Sequence, residues 1–406
     1  MQRWQWGALL LLLAGVVGFV VHARHFVAHE REAYEATIAQ GRARGLRLAL
    51  EDWNLGSPPD SQNSFAEVER ELDEMASRGL AGESLGFEIE EDGRAPPGEW
   101  AKAAAWIDKL DPTIESLQLL SRRRFMDGSA RQGIPYVWEH PEALACLGIA
   151  DLSEWRIRVA EHRNEPSTVA LSTIESLLRF AGQLPRVPMF LHLVSCSMAG
   201  GGASHLPRMS RMSGFDPAVA RQRLDPLLRS LLDPEPFLEA LEFEAASLTS
   251  ILQGLIDGDL PGDLVESLVP GRGIDLREMG RVYRSARASV EDIVHAGERI
   301  RAVGPGRYYA ESVDRLDTTM MNGLGLPAVR YVASRMRTTT ELRQARLFLA
   351  LHVHKQQHSE FPASLDELAP LFPDGIPLDP FTDQPFVYER GVKITGGEPP
   401  REFPLR

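Results

Sequence analysis

Cysteine is almost absent from this 406-residue chain, which contains only Cys146 and Cys196. Two cysteines cannot form a disulfide-rich scaffold, and a metal site built mainly from thiolates is excluded with it. One bridge between the two residues remains open in an oxidising compartment. Because free cysteine behaves as a small apolar residue, the pattern favours two buried thiols.

Positive charge is also scarce, since 44 basic residues stand against 57 acidic ones and the formal net charge is −13. A chain of this balance lacks the basic surface on which nucleic-acid binding depends. We therefore expect no nucleic-acid partner. Only four of the basic residues are lysines, at positions 102, 109, 355 and 393.

Long apolar runs are missing except for one, at residues 6–21. As a helix these sixteen residues span roughly 24 Å, slightly less than the roughly 30 Å of a bilayer core. Trp4 and Arg24 are suited to the two interfaces. The run predicts either an uncleaved transmembrane anchor over residues 1–25 or a cleaved signal peptide ending near Ala23. The apolar pattern continues past residue 25 and favours the anchor.

An N-terminal anchor followed by one long soluble region normally delivers that region across the membrane. We therefore expect a single-pass protein of the inner (cytoplasmic) membrane, with the bulk of the chain extracytoplasmic. The predicted segments are an anchor at 1–25, a juxtamembrane helix at 26–52, an acidic connector at 53–96, a helical domain at 97–302, a loop and short helix at 303–337, and a C-terminal helix with a proline-rich clasp and hairpin at 338–406.

The region after residue 97 has the three- and four-residue apolar spacing of amphipathic helices. Four Asp-Pro pairs predict helix starts, because Asp caps free N–H groups and Pro suits the first helical position. These pairs begin at Asp111, Asp216, Asp225 and Asp233. Strand-like alternation is almost absent before residue 380. The predicted fold class is all-α, with irregular helical hairpins or a bundle and a small C-terminal β-hairpin.

Residues 360–394 form the most distinctive stretch, EFPASLDELAPLFPDGIPLDPFTDQPFVYERGVKI. Ser364 to Glu367 predict one capped helical turn, which the following prolines keep short. The segment PFVYERGVKI predicts a hairpin that turns at residues 389–391. A long helix leading into this FPxSLxEL…PLDPFxxxPFxY pattern resembles a group of uncharacterised single-anchor bacterial envelope proteins. That resemblance implies the same architecture and supplies no catalytic residues.

The Asp-Pro-Phe…Pro-Phe-x-Tyr part of this stretch is also similar to the C-terminal segment of type II secretion pseudopilins. A pseudopilin carries Gly-Phe before its apolar helix and Glu at the fifth position. Here Gly18-Phe19 lies near the end of the apolar run, and Ala23 occupies the fifth position. The resemblance therefore implies a structural clasp for the final helix rather than pilus assembly.

The best candidates for metal chemistry are His354 and His358, which are four residues apart on the predicted last helix. That spacing places two imidazoles on one helix face, as two ligands of one metal ion require. His352 and Glu360 are possible additional ligands. The alternative is that the histidines continue a packing face, since Lys355 stands where a zinc peptidase has its glutamate.

Two other motifs fail on inspection. Ser195-Cys196 and the run AGGGASH at 199–205 suggest a nucleophile or a phosphate-binding loop. A nucleophile elbow needs Gly-x-Ser-x-Gly, but Gly202-Ala203-Ser204 is followed by His205-Leu206, and a phosphate-binding loop needs a lysine that is not near. The three glycines favour a flexible connection after an apolar helix.

These observations favour a scaffold or adaptor for envelope partner proteins, attached to the membrane through residues 6–21. The alternatives are a metal-dependent hydrolase centred on His354 and His358, and a secretion-system accessory module. The residues do not decide whether the chain is an enzyme, although the absence of a catalytic motif favours a non-enzyme. We expect no cofactor apart from the candidate metal.

Overall fold

The computed structural model describes residues 3–48, 52–53, 58–80, 86–90, 94–127, 141–185, 189–257, 276–312, 328–397 and 399–405. Over residues 3–19 it describes the backbone only. The chain divides into two compact units. The first contains residues 1–54, 241–302 and 311–331, and the second contains residues 55–240, 303–310 and 332–406.

The described residues are mostly helical, which confirms the predicted helical character. The helices are α1 (Arg3–Ala43), α2 (Phe65–Ser77), α3 (Glu99–Leu120), α4 (Pro141–His162), α5 (Ser167–Gln183), α6 (Met189–Ser204), α7 (Leu206–Arg211), α8 (Pro217–Leu231), α9 (Glu235–Asp257), α10 (Leu276–Val303), α11 (Pro305–Ser312) and α12 (Ala328–His358). Two short 3-10 helices lie at Asp60–Gln62 and Leu365–Leu371.

In the first unit, α1 packs along α10 through charged and aromatic side chains. Glu30 is buried and accepts hydrogen bonds from Arg284. Hydrogen bonding to that guanidinium holds the pKa of the Glu30 carboxyl below its usual range, against the opposing effect of burial. Tyr34 and Tyr283 are in ring contact at 6.0 Å, so α1 and α10 meet over several turns.

The second unit has one continuous hydrophobic core, and α5 lies at its centre. Ala170, Ile174, Leu177 and Leu178 are almost fully buried, as their spacing predicts. The helix contacts α3, α4, α6, α7 and α8. Because α5 is covered by so many neighbours, even its serine and threonine side chains turn inward and bond to its own carbonyl groups.

The C-terminal segment folds against α12 as a clasp. After the capped turn at Ser364, strands β1 (Val387–Glu389), β2 (Lys393–Gly396) and β3 (Arg401–Pro404) form an antiparallel sheet in the order β1-β2-β3. The predicted hairpin is therefore present, and a third strand follows it. Buried Gln344 of α12 donates to the carbonyl of Arg401, which ties the last strand to the helix.

The predicted transmembrane anchor over residues 1–25 receives no support from the structure. Over the residues that the structure describes, no helix holds an apolar segment long enough to cross a membrane. The anchor and the juxtamembrane segment are instead parts of one continuous helix, Arg3–Ala43.

Two of the four predicted helix starts are wrong. Pro112 lies inside α3 and Pro226 inside α8, while Asp216 does cap α8 by accepting from the N–H groups of Ala218 and Val219. An internal proline costs about 3 kcal/mol. In both helices the apolar stripe continues into the core on either side of the proline, so packing overrides the local signal.

The segment at 53–96, which was predicted as an acidic connector, contains the helix α2. Phe65 and Val68 of α2 are buried in the main core. Ser64 precedes α2 without capping it, because its hydroxyl bonds to Phe125 O and to the side chain of Gln183. The acidic composition of this segment therefore gave no indication that one face of α2 is apolar and buried.

The region at 303–337 contains the short helix α11, and the final helix begins at Ala328, ten residues before the predicted boundary. Residues 313–327 of this predicted loop region lie outside the described residues. Cys146 and Cys196 are both free and buried, as the sequence favoured.

Candidate functional site

A cleft of about 730 Å³ lies in the described part of the second unit and is here called the central cleft. It lies where α3, α4, the end of α6, α7, α12 and β3 converge. Its lining residues are Trp100, Arg158, Glu161, His162, Ser204, Pro207, Arg208, Arg211, Glu341, Gln344, Arg401, Glu402, Phe403 and Pro404. The volume falls within the range of small-molecule and peptide side-chain pockets.

One wall of the central cleft is aromatic. The rings of Trp100 and His162 are stacked at 4.2 Å between centroids with an angle of 4° between their planes. Trp100 lies in the first turn of α3, and His162 is the last residue of α4. The chain turns sharply after His162 through Asn164, whose φ of 52° is left-handed. The stack therefore presents a flat, partly exposed surface.

A second wall carries two arginines that share one carboxylate. Arg208 donates to Glu161 Oε2 at 2.9 Å, and Arg211 donates to Glu161 Oε1 at 3.0 and 2.6 Å. The three-residue spacing places both guanidinium groups on one side of α7. Two cations against one anion leave this wall with an excess positive charge.

The third wall joins α12 to β3 through Glu341 and Arg401, whose side chains form an ion pair. Burial raises the pKa of the Glu341 carboxyl, while Arg401 opposes the shift. Gly200 of α6 lies beside the end of the Glu341 side chain, so a Cβ atom added there would require the Glu341 carboxylate to shift.

Arg158 lines the central cleft, but its hydrogen bonds are made to the protein backbone. Its side chain is buried, donates to the carbonyl oxygens of Ile89 and Glu90 at 3.0 and 2.7 Å, and lies over the Trp155 ring. Nearby, burial and the positive charges of Arg208 and Arg158 lower the pKa of His205 to about 4. His205 is therefore neutral at physiological pH.

Several polar groups of the central cleft already bond to one another or to the backbone. The Ser204 hydroxyl donates to Gly201 O at 2.8 Å. Glu161 and Glu341 each hold an arginine. What the central cleft offers is a flat aromatic face beside paired donors and acceptors.

The predicted metal ligands are only partly brought together. The rings of His354 and His358 lie 4.3 Å apart, and Glu367 Oε2 is 3.6 Å from His354 Nε2. The Glu360 carboxylate pairs with Arg390 at 2.8 Å. No three His, Cys, Asp or Glu residues in the described ranges are grouped so that they could hold a metal ion.

His352 does not lie with His354 and His358 but packs among aromatic side chains. Its ring contacts Phe215, Phe348 and Phe361 at centroid distances of 5.5, 4.3 and 5.3 Å. Burial, reinforced by the charge of Lys355, lowers its pKa to about 4. An imidazole enclosed by three phenyl rings is not available to the metal site that His354 and His358 suggested.

The glycine run at 200–202 is helical, not a flexible connection as expected. Gly200 lies beside the end of the Glu341 side chain, and a Cβ atom at Gly202 would lie 3.3 Å from Leu178. Gly202 therefore serves close packing against α5, whereas nothing lies within 4 Å of a Cβ atom added at Gly201.

Sequence reasoning missed the central cleft, whose residues extend from Trp100 to Pro404. Only the Arg208 and Arg211 spacing on an expected helix was a local signal, and such pairs are common on exposed helix faces.

Comparisons of this chain with protein-family models, with curated proteins and with solved structures found no match.

Proposed function

We propose that this protein is a non-catalytic adaptor that binds a segment of a partner polypeptide in the central cleft. The observation that carries the proposal is the stacked Trp100–His162 face standing beside the shared Glu161 carboxylate and its two arginines. Tryptophan and arginine are the residues on which protein–protein binding energy is concentrated.

The charges of the cleft favour a polypeptide over a small apolar ligand. Glu161 and Glu341 are each paired with arginine, so neither carboxylate lacks a counter-charge. A peptide supplies carboxylates, amides and planar side chains that can exchange with these partners. The excess positive charge at α7 favours a ligand segment with an acidic side chain or a terminal carboxylate.

Recognition through side chains is favoured over addition of a strand to the sheet. β3 is an edge strand, but it has four residues and ends at Pro404. The carbonyl of Arg401 already accepts from Gln344. Short edges that contain proline resist pairing with another strand.

The other sequence-based functions have less support. The proline-rich stretch at 360–394, on which the secretion resemblance rests, buries Phe361, Leu368 and Phe386 in the protein's own core. The hydrolase alternative needs a metal site at His354 and His358. The two possible additional ligands have other contacts, because His352 packs against Phe361 and Glu360 pairs with Arg390.

Site-specific photo-crosslinking in cells of the source species tests the adaptor proposal. A photoreactive residue placed at His162 or Arg211 is expected to capture the same partner polypeptide, and Trp100→Ala is expected to weaken capture from Arg211. The matched control is the same residue at Leu119, which is 63% exposed on α3. Equal capture from Leu119, or none from the two cleft positions, would contradict the proposal.

The envelope location is a separate part of the proposal and depends on the apolar run at 6–21. Membrane fractionation of the full-length chain and of a variant lacking residues 2–25 tests it. We expect the full-length chain in the membrane fraction and the shortened chain outside it. Recovery of both proteins in the same fraction would refute this location without affecting the cleft.

A further inference from the structure

A second, smaller cavity of about 330 Å³ opens between the end of α3, α5 and α8 in the second unit, here called the arginine pocket. Its lining residues are Gln118, Ser121, Arg122, Ser172, Glu175, Ser176, Arg179 and Arg223. Three arginines therefore face one glutamate, in a chain whose formal net charge is −13. A pocket with net charge of about +2 in an acidic protein needs an explanation.

Two of the arginines are held in place by the glutamate. Arg179 donates to Glu175 Oε1 through Nε at 3.1 Å and Nη2 at 2.7 Å. Arg223 of α8 donates to Glu175 Oε2 through Nε at 2.8 Å and also through Nη2. Burial tends to raise the pKa of Glu175, but the two arginines outweigh it and lower the pKa. The carboxylate is therefore ionised and fixes both guanidinium groups, each with Nη1 left over.

The third arginine stands without such a partner. Arg122 follows the end of α3 and is exposed, and the described residues give its guanidinium no hydrogen bond or ion pair. The carbonyl oxygens at the end of α3 do not compete for it, because the Gln183 amide donates to Ser121 O. Arg122 therefore contributes a full set of N–H donors to the pocket.

The remaining lining is three hydroxyl groups and the amide of Gln118, which donates to Ser172 Oγ at 3.4 Å. Ser121, Ser172 and Ser176 each donate to a carbonyl oxygen three or four residues earlier. The donors of Ser172 and Ser176 use carbonyl groups of the preceding turn of α5, so rotating toward a ligand costs little. The pocket thus combines planar guanidinium forks with small hydroxyl donors.

The geometry points to a site for a phosphoryl dianion, either inorganic phosphate or a phosphomonoester. Guanidinium groups match the oxygen spacing of phosphate in a two-pronged geometry, which ammonium groups cannot do. A phosphomonoester carries about −1.5 to −2 charges at neutral pH, equal and opposite to the excess charge of the pocket. This site lies outside the central cleft and does not depend on the adaptor proposal.

Isothermal titration of the full chain with inorganic phosphate, at an ionic strength held constant with sodium chloride, tests the site. We expect saturable binding of one phosphate per chain, with Arg122→Gln and Arg223→Gln each weakening affinity about tenfold. The matched control is Arg124→Gln, which removes an exposed arginine two residues along that is not in the pocket. Its affinity is expected to stay within about twofold of the original.

Three outcomes would overturn the assignment: no saturable binding at millimolar phosphate, an equal loss in Arg124→Gln, or no loss in Arg122→Gln. Urea unfolding of each variant checks that the fold is retained, and Arg122 is the safer variant because it has no partner to lose. A parallel titration with O-phospho-L-serine separates the two sources. Tighter binding of phosphoserine indicates a monoester ligand, and tighter binding of inorganic phosphate indicates the free ion.

Discussion

The guanidinium of Arg346 donates from Nε to Asp225 Oδ1 at 2.7 Å, and the two side chains are only 10% and 12% exposed. This pair joins α12 to α8. Arg229 Nε lies 2.9 Å from the second carboxylate oxygen, so Asp225 is surrounded by positive charge. The aspartate that marked a predicted helix start is instead the centre of a buried ionic contact inside α8.

Removing one member of this pair is expected to be costly. Asp225→Ala leaves the Arg346 charge buried without its partner, and we expect a loss of about 3 kcal/mol in the free energy of unfolding. Urea denaturation followed by circular dichroism measures it. The control is Asp108→Ala, because Asp108 is half-exposed and its pair with Arg163 is worth at most about 1 kcal/mol.

The double variant Asp225→Ala/Arg346→Met separates the pair from the packing. With both charges removed, we expect much of the lost stability to return, because an apolar pair avoids the desolvation cost. A double variant as unstable as the sum of its single variants would show that the two residues act independently.

Stability is expected to fall as the pH drops from about 6.5 to about 4. The pKa values of His352 and His205 are lowered to about 4, so both residues are neutral in the folded protein while the unfolded chain binds protons from about 6.5 downward. The stabilisation is therefore complete above pH 6.5 and is lost as the pH approaches 4. Each histidine accounts for about 3 kcal/mol of the expected change in the free energy of unfolding over this pH range.

Replacing one histidine isolates its share of the pH dependence. His352→Phe keeps a ring among Phe215, Phe348 and Phe361 and cannot be protonated. Urea midpoints at pH 7.5 and pH 4.5 are expected to differ less in this variant than in the original chain. An unchanged difference would show that His352 does not titrate between the two states.

Local sequence patterns predicted most of the helices because helical periodicity is local information. The apolar spacing of Ile174, Leu177 and Leu178 placed α5, and the turn opened by Ser364 has the expected capping box. Asp216 caps its helix as predicted. Where a local signal was wrong, long-range packing had overridden it, as at Asp225, which lies inside α8 and pairs with Arg346 of α12.

The central cleft could not be predicted in the same way. Trp100 and His162 are 62 positions apart in the sequence, and Glu341 and Arg401 are 60 apart. Their side chains meet only after α3, α4, α12 and the sheet have packed. The four-residue spacing of His354 and His358 on α12 is visible in the sequence, but it does not show which side chains surround each ring. The role of His352 depends on the aromatic rings around it.

The glycines of α6 and α11 offer a matched test of packing. Gly201→Ala is expected to stabilise the protein by about 0.5–1 kcal/mol, because nothing lies within 4 Å of the added Cβ and alanine favours the helix. Gly306→Ala is expected to destabilise it, since the added Cβ would lie 2.1 Å from the backbone oxygen of Pro380. Thermal unfolding of the two variants should shift in opposite directions. Shifts in the same direction would contradict this packing of α11.

The histidine pair at the end of α12 is expected to be structural. A zinc site needs at least three protein ligands, and here Glu360 is held by Arg390 while His352 is enclosed by aromatic rings. We therefore expect the double variant His354→Ala/His358→Ala to unfold at the same temperature in the presence of zinc and of a chelator, as the original chain does. The measurement is paired with elemental analysis of the purified protein. One zinc per chain that disappears in His354→Ala would refute this expectation and favour the alternative of a metal-dependent hydrolase.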